Sequence, residues 1–338
     1  MPTSVWKRTA LAVAVMGGCG GVAGTPFVVT CDIPGGDTSD QCGQRLADAL
    51  ADSTQSVLEL DDGTYTRSSL TGVQVGGANP TNNVFTISRD VIVRAKNLGQ
   101  VILDGLQETS GLRVIGIDSG TATLQGLNIT GGYLNPGGGI HINGAGVRAT
   151  IIDTNIYANK ASHWGAGVNV GMEGDQTMTN SNGQVDFVNS NIFDNDSKYG
   201  GGVTVWYGTA RFTLCTVYGN SAWGRGGGLY IQGGATVSLH HTEVSSNTAG
   251  ESSNIHGTFC AWPAIPTDTP QAGQATLCPA PPPPPPVPPA SPPSPYAEEA
   301  SISFGPSDEH KLNCKYTIGP NGDFDMANTG CSFEMHHE

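Results

Sequence analysis

Apolar residues in the middle of this chain recur in short alternating runs, and nowhere between residues 84 and 260 do they hold a helical period. Val168-Asn169-Val170, Val203-Thr204-Val205 and Leu229-Tyr230-Ile231 each follow a glycine cluster, at Gly165–Gly167, Gly200–Gly202 and Gly226–Gly228. Such alternation predicts strands whose two aliphatics face inward and whose middle residue faces outward. Four asparagines, Asn159, Asn195, Asn220 and Asn247, set the frame, with spacings of 36, 25 and 27 residues. Three positions before each stand Ile156, Ile192, Val217 and Val244; five before, Thr154, Ser190, Cys215 and Thr242; eight before, Ile151, Phe187, Phe212 and Leu239. The long first spacing holds the polar stretch 171–183, a loop insertion. An earlier copy places Gly137-Gly138-Gly139-Ile140-His141-Ile142 after Leu127-Asn128-Ile129, with Gly132 at the asparagine position, and a degenerate copy ends at Ile255.

A period of about 25 residues predicts a solenoid of stacked coils. Asparagine tolerates left-handed backbone, so each is expected at a tight bend, and stacked carboxamides can hydrogen-bond along the stack. The glycine cluster marks a second bend. Cys215 shares its column with Ser and Thr, so it reads as a buried structural thiol.

The repeats resemble the right-handed parallel β-helix, or pectin-lyase-like, superfamily. They are most similar to the repeats of polymorphic outer-membrane proteins, with their Gly-Gly-Ala-Ile and Phe-x-x-Asn elements. Here Ile or Val replaces the Phe, Gly often replaces the Ala, and nothing after residue 260 could build that family's barrel. The resemblance implies an all-β, right-handed parallel β-helix over 84–260. Upstream, 25–83 are expected to form a cap and first coil: Leu46, Ala47, Ala49 and Leu50 lie at helical spacing, and a short amphipathic helix would cover the open end of the stack. Strand-like runs follow at 57–65, 84–87, 91–93 and 101–103.

The ends differ in kind. Lys7-Arg8, an apolar run and small residues to Gly24 have the form of a secretory signal peptide covering 1–24. Met16-Gly17-Gly18-Cys19 is a weaker lipid-anchor alternative. Cys31/Cys42, Cys260/Cys278 and Cys314/Cys331 fall into local pairs that an exported chain would oxidise to staple its ends, although spacing alone leaves other connectivities open. Residues 261–295 form a cysteine-containing and polyproline linker. Residues 296–338 form a small acidic module with the last cysteine pair. No stretch after the signal is long enough to span a bilayer.

Composition narrows the function. Fifteen Lys and Arg against 29 Asp and Glu give a net charge of −14, opposite to what a nucleic-acid binder needs. The 48 glycines in 338 residues are about twice ordinary usage, as a turn-rich β protein requires. Superfamily enzymes would need carboxylates or metal ligands on one face. The outward positions His141, Asn143, Asn169, Thr204, Trp206, Tyr230, Gln232 and His256 include no acid, Asp194 and Asp196 belong to a bend, and His240-His241 stands without further ligands. No catalytic residue, metal or cofactor is assigned. What this face offers is aromatic and amide character: Trp164, Tyr199, Trp206, Trp223 and Tyr230, beside His141, Asn169 and Arg225. Flat rings next to amides suit sugar rings, although the same rings could simply cover glycine bends. The expected function is a non-catalytic secreted or cell-surface protein that binds glycan, adheres or builds wall, with a polysaccharide lyase, hydrolase or epimerase as the alternative. Asn128-Ile129-Thr130 and Asn195-Asp196-Ser197 match the N-glycosylation pattern, the second with its Asn expected in the buried ladder.

Overall fold

A computed structural model describes residues 25–32, 35–68, 82–106, 111–171, 183–262 and 275–278, together with the backbone of five short strands between 302 and 334. The chain divides into two units, Met1–Pro279 and Ala280–Glu338. The expected signal segment with Cys19 and most of the polyproline linker lie outside the described residues.

The first unit is a parallel β-solenoid. Each full coil contributes one strand to each of three parallel sheets, and two of these sheets hold seven strands. In one coil the chain runs through Arg148–Ile152 in the first sheet, Asn155–Tyr157 in the second and Val168–Val170 in the third. The coils stack like on like. Phe85, Ile115, Ile140, Val168, Val203, Leu229 and Ile255 pair in one file along the third sheet, and all are essentially inaccessible to solvent. Leu124, Ile151, Phe187, Phe212 and Leu239 form the matching file of the first sheet. The Phe187 and Phe212 rings stack at 4.6 Å between centroids. Period-two alternation with the apolar set inside therefore specifies the register, because a one-residue slip would turn every file outward.

The asparagine ladder forms. The Asn159 Nδ2 donates to Asn195 Oδ1 at 3.0 Å, Asn195 to Asn220 at 2.9 Å, Asn220 to Asn247 at 2.9 Å and Asn247 to Asn254 at 3.0 Å. Gly132 substitutes at the other end, its amide N–H donating to Asn159 Oδ1. A correction concerns the backbone: the left-handed residue is not the asparagine but the one before it, Ala158, Asp194, Gly219 or Ser246. The asparagine is retained for its carboxamide, which satisfies backbone groups at the bend that no strand can reach. The Thr154/Ser190/Cys215/Thr242 column works similarly. Each side chain donates to the carbonyl two residues earlier, Cys215 Sγ to Thr213 O at 3.3 Å. Burial pushes the Cys215 thiol pKa up to about 11, as expected of an inert structural cysteine.

Glycine is required where coils touch through backbone. A Cβ on Gly201 would lie 2.2 Å from the Ser221 carbonyl oxygen, and one on Gly227 2.3 Å from that of Thr248.

The N-terminal end is closed by the helix Ser39–Ala51, opened by a Thr38/Gln41 capping box. It buries Leu46, Ala49 and Leu50, and Gly43 lets it approach the Thr66 carbonyl. Arg89 donates to the carbonyls of Ala49 and Leu50 at its C-terminal end, where the helix dipole favours a cation. Cys31–Cys42 ties this helix to the leading strand Phe27–Val29, and Cys260–Cys278 joins the last two strands of the first sheet. No helix among the described residues is long and apolar enough to cross a membrane.

In the second unit Lys311–Cys314 pairs antiparallel with Cys331–Glu334, placing Cys314 opposite Cys331 in the backbone register. Their side chains, and so the expected disulfide, lie outside the described residues.

Candidate functional site

The outward column of the third sheet runs Thr86, Gly116, His141, Asn169, Thr204, Tyr230, His256. These residues face away from the apolar files, yet His141, Asn169, Thr204 and Tyr230 are buried. The reason is the segment between the asparagine bend and the glycine cluster. In later coils it forms a fourth, three-stranded layer, Asp196–Tyr199, Ser221–Arg225 and Thr248–Glu251, beside the third sheet. Thr204 Oγ1, for example, donates to the Tyr199 carbonyl at 3.0 Å.

Two groups of side chains result. The first is aromatic. Tyr199 stacks on Tyr230 at 5.1 Å, and Tyr230 on His256 at 5.3 Å. Trp206 stands 6.2 Å from Tyr230 and meets Trp164 edge-on at 6.4 Å and Tyr207 at 6.1 Å. The Trp206 indole N–H is buried without a hydrogen-bond partner. Tyr207 is exposed, while Trp164, Tyr199, Trp206 and His256 are half-buried.

Trp223 does not join this column. The pairing shifts between Ser197↔Ala222 and Tyr199↔Arg225, so the extra residue of the later strand bulges and Arg225 takes the position level with Tyr199. Trp223 is 65% exposed and reaches the cluster only through Lys198, whose ammonium lies 4.8 Å from its ring centroid and 5.1 Å from that of Tyr199. Arg225 is held by Glu251 at 2.7 Å.

The second group is polar and lies further toward the N-terminal end of the same face. Asn83 fills the space above Gly116, where a Cβ would come within 2.1 Å of its Nδ2. Arg113 ends at this place, its Nη1 donating to Asn83 Oδ1 at 2.7 Å, with Pro136 and Gly137 carbonyls at 2.6 and 2.9 Å. Burial lowers the guanidinium pKa to about 10, with Asp118 acting the other way, so it stays charged at neutral pH. Asn169 Nδ2 must donate to the Gly171 carbonyl, so the 3.1 Å contact with His141 makes Nδ1 the acceptor and leaves the proton on Nε2. Burial, aided by the Arg113 charge, holds His141 neutral, its pKa far below the ordinary imidazole value. Asp118 follows the strand on the same face. Its pKa is raised by burial, against the pull of Arg113.

The structure therefore brings together four expected residues, Trp164, Tyr199, Trp206 and Tyr230, and pairs His141 with Asn169. It separates Trp223 and neutralises Arg225. Sequence reasoning missed Arg113, Asp118 and Tyr207. Arg113 opens the strand Arg113–Ile117 and Asp118 follows it; no glycine cluster precedes this strand, so nothing in the repeat alignment marked it as belonging to this face. No group of three or more His, Cys, Asp or Glu that could hold a metal occurs among the described residues. Neither sequon presents a free asparagine. Asn195 is in the buried ladder, and Asn128 donates to the Gly99 carbonyl while accepting from Asn155.

The chain matches no family model, no curated protein and no solved structure.

Proposed function

We propose that this is a secreted or cell-surface β-solenoid that binds glycan in an adhesive or wall-structural role, using the aromatic cluster on the third sheet. The observation that carries this reading is the convergence of Trp164, Tyr199, Trp206, Tyr207 and Tyr230 from two consecutive inter-bend segments and two strands onto one face. Partly exposed rings at Trp164, Tyr199, Trp206 and Tyr207 offer apolar faces to the C–H side of a pyranose. The two disulfides suit an oxidising compartment. The signal-like N-terminus and the polyproline spacer support export and display at a surface.

Glycan-array binding tests it. Trp164→Ala and Trp206→Ala together abolish binding, whereas Trp223→Ala leaves it nearly intact. Binding unchanged in the double variant overturns the reading.

A second reading has its own observation. Arg113, His141 and Asp118 lie on one face, and the Arg113 charge acts on both of the others. A cation, a neutral imidazole and a carboxyl of raised pKa are groups that a polysaccharide lyase, hydrolase or epimerase of the pectin-lyase-like kind could use. Release of unsaturated or reducing ends from acidic polysaccharide, lost in His141→Gln, supports this alternative; no release from any acidic polysaccharide excludes it.

A further inference from the structure

The outer face of the second sheet carries a ladder that the repeat alignment did not single out. Asn155, Asn191, Thr216 and Glu243 pair in one outward column, and Tyr157, Phe193, Tyr218 and Ser245 in the next. The three rings stack nearly parallel, Tyr157 on Phe193 at 5.1 Å and 7°, Phe193 on Tyr218 at 5.2 Å and 8°. At the next rung the aromatic is replaced by Ser245. The far face of the Tyr218 ring is left without an aromatic neighbour, and a depression of about 380 Å³ lined by Asn191, Thr216, Tyr218, Glu243 and Ser245 opens there. That volume falls in the range of ligand sites, about 300–1,000 Å³.

The lining selects the ligand by charge and by hydrogen-bond polarity. Thr216 commits its hydroxyl proton to Asn191 Oδ1, and Ser245 commits its own to Glu243 Oε1 at 2.6 Å. Asn191 Nδ2 donates away, to Asn155 Oδ1 at 2.9 Å. What faces the opening is dominated by acceptors: the remaining Glu243 carboxylate lone pairs and two hydroxyl oxygens. No basic side chain among the described residues pairs with Glu243. A carboxylate beside an open aromatic face, with the Thr216 and Ser245 hydroxyl protons already spent, suits a planar, donor-rich cation. A guanidinium fits all three demands, since it stacks on a ring, meets a carboxylate in its own plane and brings only donors.

We infer that this notch is a binding site for a guanidinium group, which takes the empty rung below Tyr218 and hydrogen-bonds to Glu243. The site lies on a different sheet from the glycan-binding cluster and stands or falls independently of it.

The test uses the full chain labelled with fluorotyrosine, with the Tyr218 signal assigned by Tyr218→Phe. Methylguanidine and Nα-acetyl-arginine amide are titrated in, with Nα-acetyl-lysine amide and methyl glucoside as comparison probes. Saturable movement of the Tyr218 signal is expected with both guanidinium probes if the head group suffices, or with the arginine amide alone if a peptide context is read as well. Binding is at least tenfold weaker for Glu243→Gln. It is also at least tenfold weaker for Ser245→Tyr, which completes the ladder without changing the charge, and the lysine probe is several-fold weaker throughout. Unchanged thermal unfolding of both variants shows that they are folded. No saturable shift with either guanidinium probe, an equal response to the glucoside or the lysine probe, or undiminished binding in Ser245→Tyr overturns the inference.

Discussion

Replacing Asn195 by alanine isolates the contribution of the buried carboxamide ladder. Asn195 Oδ1 accepts from both the backbone N–H and the Nδ2 of Asn159 at 3.0 Å, and its own Nδ2 donates to Asn220 Oδ1, Ile156 O and Phe193 O at 2.9–3.0 Å. The residue is wholly buried, and its backbone is not left-handed, so alanine brings no φ strain. The substitution orphans the buried Asn159 N–H, at about 1–3 kcal/mol, and removes several further hydrogen bonds worth about 1 kcal/mol each. The sum is about 3–5 kcal/mol. At ~2–4 °C per kcal/mol for a domain of this size, the melting temperature falls on the order of 10 °C. Urea unfolding followed by far-ultraviolet circular dichroism measures it. Asn155→Ala is the control. Asn155 also sits in an amide ladder, bonded to Asn128 and Asn191 at 2.9 Å, but it is half-buried on the outer face. Water can replace its partners, so its loss costs about 1 kcal/mol or less. Equal effects at the two positions, or an Asn195→Ala effect below about 0.5 kcal/mol, refute the reasoning, since the ladder would then be incidental to the stack.

Other substitutions probe separate links. Phe212→Ala empties a fully buried stacked position and should cost about 3–5 kcal/mol in the same assay. Gly201→Ala, whose methyl would meet the Ser221 carbonyl, should be far more damaging than Gly234→Ala, where a Cβ meets open space and only the positive φ resists; the two midpoints compare them directly. His141 contributes a pH dependence. Its folded pKa lies below the unfolded value, so the unfolded state binds more protons as pH falls below about 6.5, and stability drops by up to about 1.4 kcal/mol per pH unit until the folded pKa is reached. His141→Gln should flatten this slope between pH 6.5 and 5. Cys215 should resist alkylation in the native protein and react once the solenoid is unfolded, as peptide mass spectrometry would show.

The stack was legible in the sequence because each file repeats one residue type at one offset. Ile156, Ile192, Val217 and Val244 share a depth before their asparagines and do superpose. The Thr154-to-Thr242 column explained Cys215 for the same reason: a position that wants a small donor admits a thiol. Features off the period were hidden. The bulge that displaces Trp223 depends on one extra residue between Asn220 and Gly226, which aligning on asparagine and glycine conceals. The burial of His141 and Asn169 depends on side-chain cover that strand alternation does not encode. Asn83 reaches Arg113 across a space that is open because Gly116 lacks a side chain, a fact of contact between coils that one strand's sequence does not carry. The Tyr157–Phe193–Tyr218 ladder was present at a constant offset. Its rings flank the buried Ile156, Ile192 and Val217 file on the outward side of the second sheet, where the apolar period that defines the core carries no signal.

The claim that consecutive coils stack in register is tested most directly by engineered cross-linking across the 171–183 insertion. Thr150 and Asp186 are direct partners on the outer face of the first sheet, and Val188 lies two residues further along the same strand. Neighbouring parallel strands lie ~4.8 Å apart, within disulfide reach. Mild oxidation of Thr150→Cys/Asp186→Cys should give a 150–186 disulfide in nearly every molecule, identified by peptide mass spectrometry, while Thr150→Cys/Val188→Cys remains reduced. Preferential cross-linking of the 150–188 pair, or of neither, would contradict the stacked, in-register solenoid.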